Sequence, residues 1–171
     1  MAELEEYERL PVEVKRILVA TDGSAQAFKA FNEALYLAAV TEAELVILMV
    51  ADLNTNVSAF EMVSLSGYVP AELKLAAMQF LADLMHEVPP EIPARVRAEI
   101  GNPGETIVRV AEEEEVDLII MGSRGLSSFV SFFTGSVSHY VLKNAYCPVM
   151  VTKGMPDDWE EDEEGNNIPP Q

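Results

Sequence analysis

Short, wholly apolar runs alternate along the chain with longer stretches in which apolar residues return every three or four positions. Lys15-Arg16-Ile17-Leu18-Val19-Ala20-Thr21 reads as a buried strand, and it ends at Asp22-Gly23-Ser24, a turn and helix-start signal. Ala27, Phe31, Ala34, Leu35 and Ala38 then fall at i, i+4, i+7, i+8 and i+11, one face of a helix. Leu45 to Val50 is apolar throughout, as expected of a strand covered on both faces. Residues 54–68 are irregular and read as a loop or a short helix. Pro70 suits a first helical position, and Leu73, Ala77, Phe80, Leu81, Leu84 and Val88 trace a helical face stopped by Pro89-Pro90. Residues 94–100 alternate Val96, Ala98 and Ile100 with Arg95, Arg97 and Glu99, the period of a strand. After the breaker Gly101-Asn102-Pro103-Gly104, a third helix is expected over 105–115 with Ile107, Val108 and Ala111 inward. A fourth strand follows at 116–121, a fourth helix at 136–144 with Val137, Tyr140 and Val141 inward, and a fifth strand at 148–152.

Strands alternating with helices predict one open, doubly wound parallel sheet, with helices on both faces and right-handed crossovers. In such sheets ligands bind beyond the carboxyl ends of the strands, where strand order reverses. Three segments converge there: Thr21-Asp22-Gly23-Ser24, Val50-Ala51-Asp52 and Gly122-Ser123-Arg124-Gly125.

Composition narrows the class. The chain has 171 residues, 49% apolar and 23% charged, in the range of a single globular domain. No apolar run is long enough to cross a bilayer, and the acidic start MAELEEYERLP is unlike a secretory signal. With the single Cys147 there is no internal disulfide framework. A cytoplasmic location is the expectation. The net charge of −18 argues against nucleic acid as the main partner, because phosphate neutralisation needs clustered Lys and Arg. Seven of the acids lie in PDDWEEDEEGNNIPPQ. The expected organisation is an acidic extension over 1–14, a domain over 15–153, and a self-repelling acidic tail over 154–171 without stable structure.

The segment between the fourth strand and the fourth helix carries the chemistry. Glycine lets backbone approach a ligand closely, and a helix N-terminus offers N–H groups and partial positive charge to phosphate. Gly122 and Gly125 would let a nucleoside lie against the strand end, with its phosphates at Gly135, Ser136 and Val137. Spacing alone leaves the alternative of a surface loop whose glycines serve only tight turns. No G-x-x-x-x-G-K-[ST] and no G-x-G-x-x-G is present.

The pattern Gly-x-x-Gly, nine residues, Gly-Ser at Gly122, Gly125, Gly135 and Ser136 resembles the adenine-nucleotide motif of the universal stress protein family. Residues 19–24, VATDGS, are similar to that family's opening strand and turn; residues 117–125, DLIIMGSRG, resemble its fourth strand and loop. GSVS at 135–138 and CPVMV at 147–151 resemble its close. The resemblance covers residues 15–153. It implies an adenine nucleotide alpha hydrolase-like sheet of five parallel strands in the order 3-2-1-4-5, with the layering of flavodoxin. It also implies binding of ATP or another adenine nucleotide with Mg²⁺ (or Mn²⁺), and a two-fold dimer through strand 148–152. Ala20, Thr21 and Asp22 would then contact the nucleotide, with Asp22 at the ribose and the metal-bridged phosphates as the metal-side carboxylate. Val50 would offer its backbone to the adenine edge, Met121 and Gly122 would flank base and ribose, and Gly125, Gly135, Ser136, Val137 and Ser138 would bind phosphates. Met49 stands where many members carry His. The implied role is a sensor or regulator in stress response.

Single residues carry competing readings. Asp22 could hold a metal or merely cap the first helix, a task Ser24 could also do. Arg124 could reach a phosphate or stay solvated. His139 reads as a surface or packing histidine, His86 as a helix C-terminal cap, Cys147 as a small buried hydrophobe, and residues 112–115, EEEE, as a solvated helix face. No nucleophile with its base and no obligatory carboxylate pair emerges, so at most slow hydrolysis of the nucleotide is expected. An S-G-G-x-D-S pyrophosphate loop is absent after the first strand, which speaks against a hydrolase or ligase of the related type. Ile100-Gly101 lacks the acceptor aspartate of a phosphorylated receiver domain. The same fold serving protein interaction without nucleotide stays open.

Overall fold

The computed structural model describes residues 13–52, 68–123, 136–153, 160–161 and 167–168. Its elements follow in order as β1 (Arg16–Thr21), α1 (Ala25–Thr41), β2 (Glu44–Ala51), α2 (Tyr68–Met85), β3 (Ala94–Ile100), α3 (Pro103–Glu113), β4 (Leu118–Gly122), α4 (Ser136–Asn144) and β5 (Val149–Thr152). The five strands are all parallel and lie in the order β3-β2-β1-β4-β5. The expected topology is therefore the one observed. Within the tail expected to lack structure, β6 (Glu160–Glu161) and β7 (Asn167–Ile168) form a two-residue antiparallel pairing.

The apolar runs become strands because each serves two cores. Ile17, Val19, Leu45, Ile47 and Ile120 face α1 and α2, where they meet Phe31, Ala34, Ala77 and Leu81. Their alternate neighbours Leu18, Ala20, Val46, Leu48, Ile119 and Met121 face α3 and α4, against Ile107, Val110, Ala111 and Val141. A parallel sheet covered on both sides has no room for a polar period.

The helices start and stop for local reasons. Ser24 caps α1, its hydroxyl accepting the Ala27 N–H at 3.2 Å. Glu42 ends α1 in the left-handed region (φ 56°) and returns its N–H to Ala38 O. The core face of α1 includes Ala30, while Leu35 is only partly buried. Gly101-Asn102-Pro103-Gly104 acts as more than a breaker. Asn102 accepts the Glu105 N–H at 3.2 Å and Pro103 opens the helix, so α3 begins two residues before the expected start. Pro70 lies in the third position of α2 rather than the first. In α4 the buried positions are Ser138 and Val141, whereas Tyr140 is 38% exposed.

The acids 112–115 are not only a solvated face. Glu113 and Glu114 take hydrogen bonds from Arg95, Arg97 and Arg109, and Arg95 also binds Glu44, which in turn binds Arg16. This ladder covers the edge strand β3 with charge, which blunts it against pairing with another chain.

Candidate functional site

Strand order reverses between β1 and β4, so the crevice of a doubly wound sheet lies beyond their carboxyl ends. The turn that leaves β1 is built by its own side chains. Thr21 Oγ1 accepts the Gly23 N–H at 3.3 Å, and Asp22 Oδ1 accepts the Ser24 N–H at 3.0 Å. Gly23 takes φ +81°, which a side chain would strain. Because Ser24 caps α1, Asp22 is not the cap; its half-buried carboxylate shapes the turn.

Next to it stands the end of β4. Ala20 lies in register with Met121, and Met121 is buried. Gly122 pairs with Thr152 on β5, and the Ser123 N–H donates to Thr152 O at 2.9 Å. Val50 lies on β2 one step past the Thr21–Met49 pair, half-buried and in register with Glu99 of β3. Burial acts to raise the Glu99 carboxyl, but Arg97 and Arg109 outweigh it and hold the group below its ordinary range.

The start of α4 completes the group. Ser136 is exposed, Val137 half-buried and Ser138 2% exposed. The Ser138 hydroxyl donates to the Ser123 carbonyl at 3.2 Å, which pins the first turn of α4 to the end of β4. The Ser138 side chain is thus directed toward the end of β4. The first N–H groups of a helix lack partners within it, so α4 presents this mouth beside the crevice.

Ala20, Thr21, Asp22, Met121, Gly122, Ser136, Val137 and Ser138 gather at one end of the sheet, with Val50 one strand away. Arg124, Gly125 and Gly135 lie outside the described residues, as do residues 126–134 between the last two glycines. The sequence places Ser123 in a converging segment but assigns no role to its side chain, nor to Thr152 or Gln26. The Ser123 hydroxyl donates to Gln26 Oε1 of α1 at 3.5 Å, and the Thr152 hydroxyl donates to the Glu33 carboxylate. The available signal was a pair of small hydroxyl residues closing two adjacent strands. A cleft of about 420 Å³ opens on the α1 and α2 side of the β1 end, lined by Thr21, Gly23, Ser24, Phe28 and Phe80 among others. Among the described residues, no helix is long and apolar enough to cross a membrane. His139 is exposed, as expected, and Cys147 is half-buried, with burial pushing its thiol up.

The described geometry is matched among known proteins. The family model "Universal stress protein family" matches residues 13–153. Universal stress protein YxiE of Bacillus subtilis is 34% identical over 152 residues, covering 81% of this chain and 98% of its own. The solved structure of universal stress protein UspA from Lactobacillus plantarum is 30% identical with a TM-score of 0.68, covering 82% of this chain and 98% of that one. A crystal structure of a universal stress protein in complex with cAMP shares the fold at 23% identity and a TM-score of 0.58, covering 82% and 97%. By the family match and the Bacillus relative, the chain belongs to the universal stress protein family.

Proposed function

We propose that this member binds an adenine nucleotide, ATP with Mg²⁺ (or Mn²⁺), and acts as a sensor or regulatory module in stress response. The observation that carries the reading is the Ser138–Ser123 bond. It sets the first turn of α4 against the end of β4, beside Asp22, where strand order reverses. A polyanion placed there meets main-chain N–H groups and a helix N-terminus, and a carboxylate lies close by for a cation that phosphates help to hold. The residues present fit such a ligand. Val50 would face the adenine edge, Ala20, Thr21, Met121 and Gly122 would border base and ribose, and Asp22 would face the metal. Ser136 and Val137, with Arg124, Gly125 and Gly135, would line the phosphates. That a family member of known structure holds cAMP supports the adenine base in particular. The reading assigns no catalytic residue to the chain.

Calorimetric titration of the purified chain tests it. ATP with Mg²⁺ should bind with one site per chain. Asp22→Asn keeps an oxygen for the Ser24 N–H but removes the charge, and should weaken MgATP about tenfold while changing adenosine little. No heat and no thermal shift with any adenine nucleotide would leave a nucleotide-independent interaction module.

Self-association is part of the same reading. Of the two sheet edges, β3 is lined with ion pairs, whereas β5 carries half-buried Val149, Met150 and Val151. An apolar edge strand invites pairing with a second copy. We place a homodimer along β5. Met150→Lys should shift a dimer in sedimentation at micromolar concentration to a monomer.

A further inference from the structure

We infer that Ser138 is a positioning residue that ties the first turn of α4 to the outer edge of the sheet, so that what binds at α4 is transmitted to β5. The inference rests on the nucleotide reading for what binds, and on geometry alone for the tie. Ser138 is buried and its hydroxyl donates to the Ser123 carbonyl at 3.2 Å. Ser123, the residue after β4, donates its N–H to the carbonyl of Thr152, the last residue of β5, at 2.9 Å. The Thr152 hydroxyl, also buried, donates to the Glu33 carboxylate on α1, and the Ser123 hydroxyl reaches Gln26 on the same helix. Beside the apolar packing of Val137 and Val141 with Val149 and Val151, hydrogen bonds thus link helix α4 to the edge strand and to α1 by way of Ser123, used at its carbonyl, its amide and its side chain.

Three consequences follow from that arrangement. A hydroxyl held 15 residues back in sequence fixes where the mouth of α4 lies relative to β4. Phosphate that draws on the first N–H groups of α4 pulls on a turn whose displacement loads the Ser123 carbonyl. Loading there is felt at the Thr152 bond, because both hydrogen bonds belong to one residue, and buried hydrogen bonds that share groups act together. Ser138 thus acts on a ligand through the backbone it holds, and its hydroxyl is not a phosphate ligand.

Amide hydrogen exchange on the full chain, without and with ATP and Mg²⁺, tests this with Ser138→Ala and Ser138→Thr. In the nucleotide-free protein, Ser138→Ala should speed exchange of the Ser123 amide about tenfold and leave the Ile47 amide, deep in β2, unchanged. ATP should slow the Ser123 amide in the wild type and in Ser138→Thr, which keeps the hydroxyl, but not in Ser138→Ala. MgATP affinity should fall by about five- to tenfold in Ser138→Ala, the size of an ordinary coupling. Unchanged Ser123 exchange in nucleotide-free Ser138→Ala overturns the tie. The same result together with weakened ATP binding would make the hydroxyl a direct ligand and overturns it equally. If the wild type binds no adenine nucleotide, the nucleotide reading and the transmission fall together, while the nucleotide-free exchange still decides the tie.

Discussion

The ring of Tyr140 lies so close on Gly104 that a methyl group at residue 104 would sit 2.9 Å from Cδ1, 3.0 Å from Cγ and 3.1 Å from Cβ of the tyrosine. Helices α3 and α4 approach through this pair, and the close atoms include the root of the side chain, which cannot swing clear. Gly104→Ala gains up to about 1 kcal/mol of helix propensity. It meets an overpacking cost of about 1–3 kcal/mol. We expect a net loss of stability, read as a lower urea midpoint with unchanged slope. In a Tyr140→Ala background the same substitution should cost less, because two of the three close atoms are gone.

Asp117 clips the start of β1 to β4. One carboxylate oxygen, Oδ2, accepts the N–H of Lys15 at 2.8 Å and of Arg16 at 2.9 Å, and the Asp117 N–H donates to Arg16 O at 2.9 Å. Hydrogen bonds to a charged acceptor are the stronger kind. Asp117→Ala should lower stability by about 2–3 kcal/mol, since two donors lose their acceptor. Asp117→Asn, with an uncharged oxygen in the same place, should lose about half of that in denaturant unfolding.

Much of this was legible in the residues, for reasons that also explain the gaps. The strands from Ile17, Leu45 and Leu118 onward stand out because both faces are buried, so burial writes itself as a continuous apolar run. The β3 alternation was equally readable, but its partner was not. Nothing local says that Arg95 and Arg97 will find Glu113 and Glu114, because the ion pairs join a strand to the far end of the next helix. Spacing singles out the glycine segment; of the residues expected beside it, Met121 lies in register with Ala20, two residues before Asp22. What spacing could not report is which hydroxyls the fold uses for itself. Ser138, which the family resemblance puts at the phosphates, is buried and donates its hydroxyl to the Ser123 carbonyl. Helical period predicts Tyr140 inward, yet the space beneath it is set by a glycine on another helix.

Glu42 holds the left-handed conformation that closes α1, at φ 56° and ψ 30°, with its N–H on Ala38 O. A residue with a Cβ is strained there, and glycine is not. Glu42 is exposed, so nothing else is lost with its side chain. Glu42→Gly should raise stability by up to about 1 kcal/mol, the strain relieved less the entropy that glycine adds to the unfolded chain. A thermal unfolding midpoint that falls instead would show that the turn tolerates Glu42 without strain.

The charged edge of β3 predicts a pH response with a definite sign. At Glu99, burial pulls the carboxyl up, but hydrogen bonds and charge from Arg97 and Arg109 hold it below its ordinary 4.5; at Glu113, Arg109 and then Arg97 do the same. A carboxyl whose folded value lies below its unfolded one stabilises the fold above the unfolded value and loses that contribution as pH falls through the folded one. The ladder therefore contributes fully at pH 7 and fades below about 4.5. Arg97 is the common partner, with Glu99, Glu113 and Glu114 around it. Arg97→Met keeps most of the stem and removes the charge. Because these groups are partly exposed, it should cost only about 1 kcal/mol at neutral pH. The wild type and the variant should converge as pH drops toward 3. Comparing the two cancels the relief of self-repulsion that acidification brings to a chain of net charge −18. A stability difference that stays constant from pH 7 to pH 3 in urea titrations would mean that Arg97 acts there through packing and not through its carboxylates.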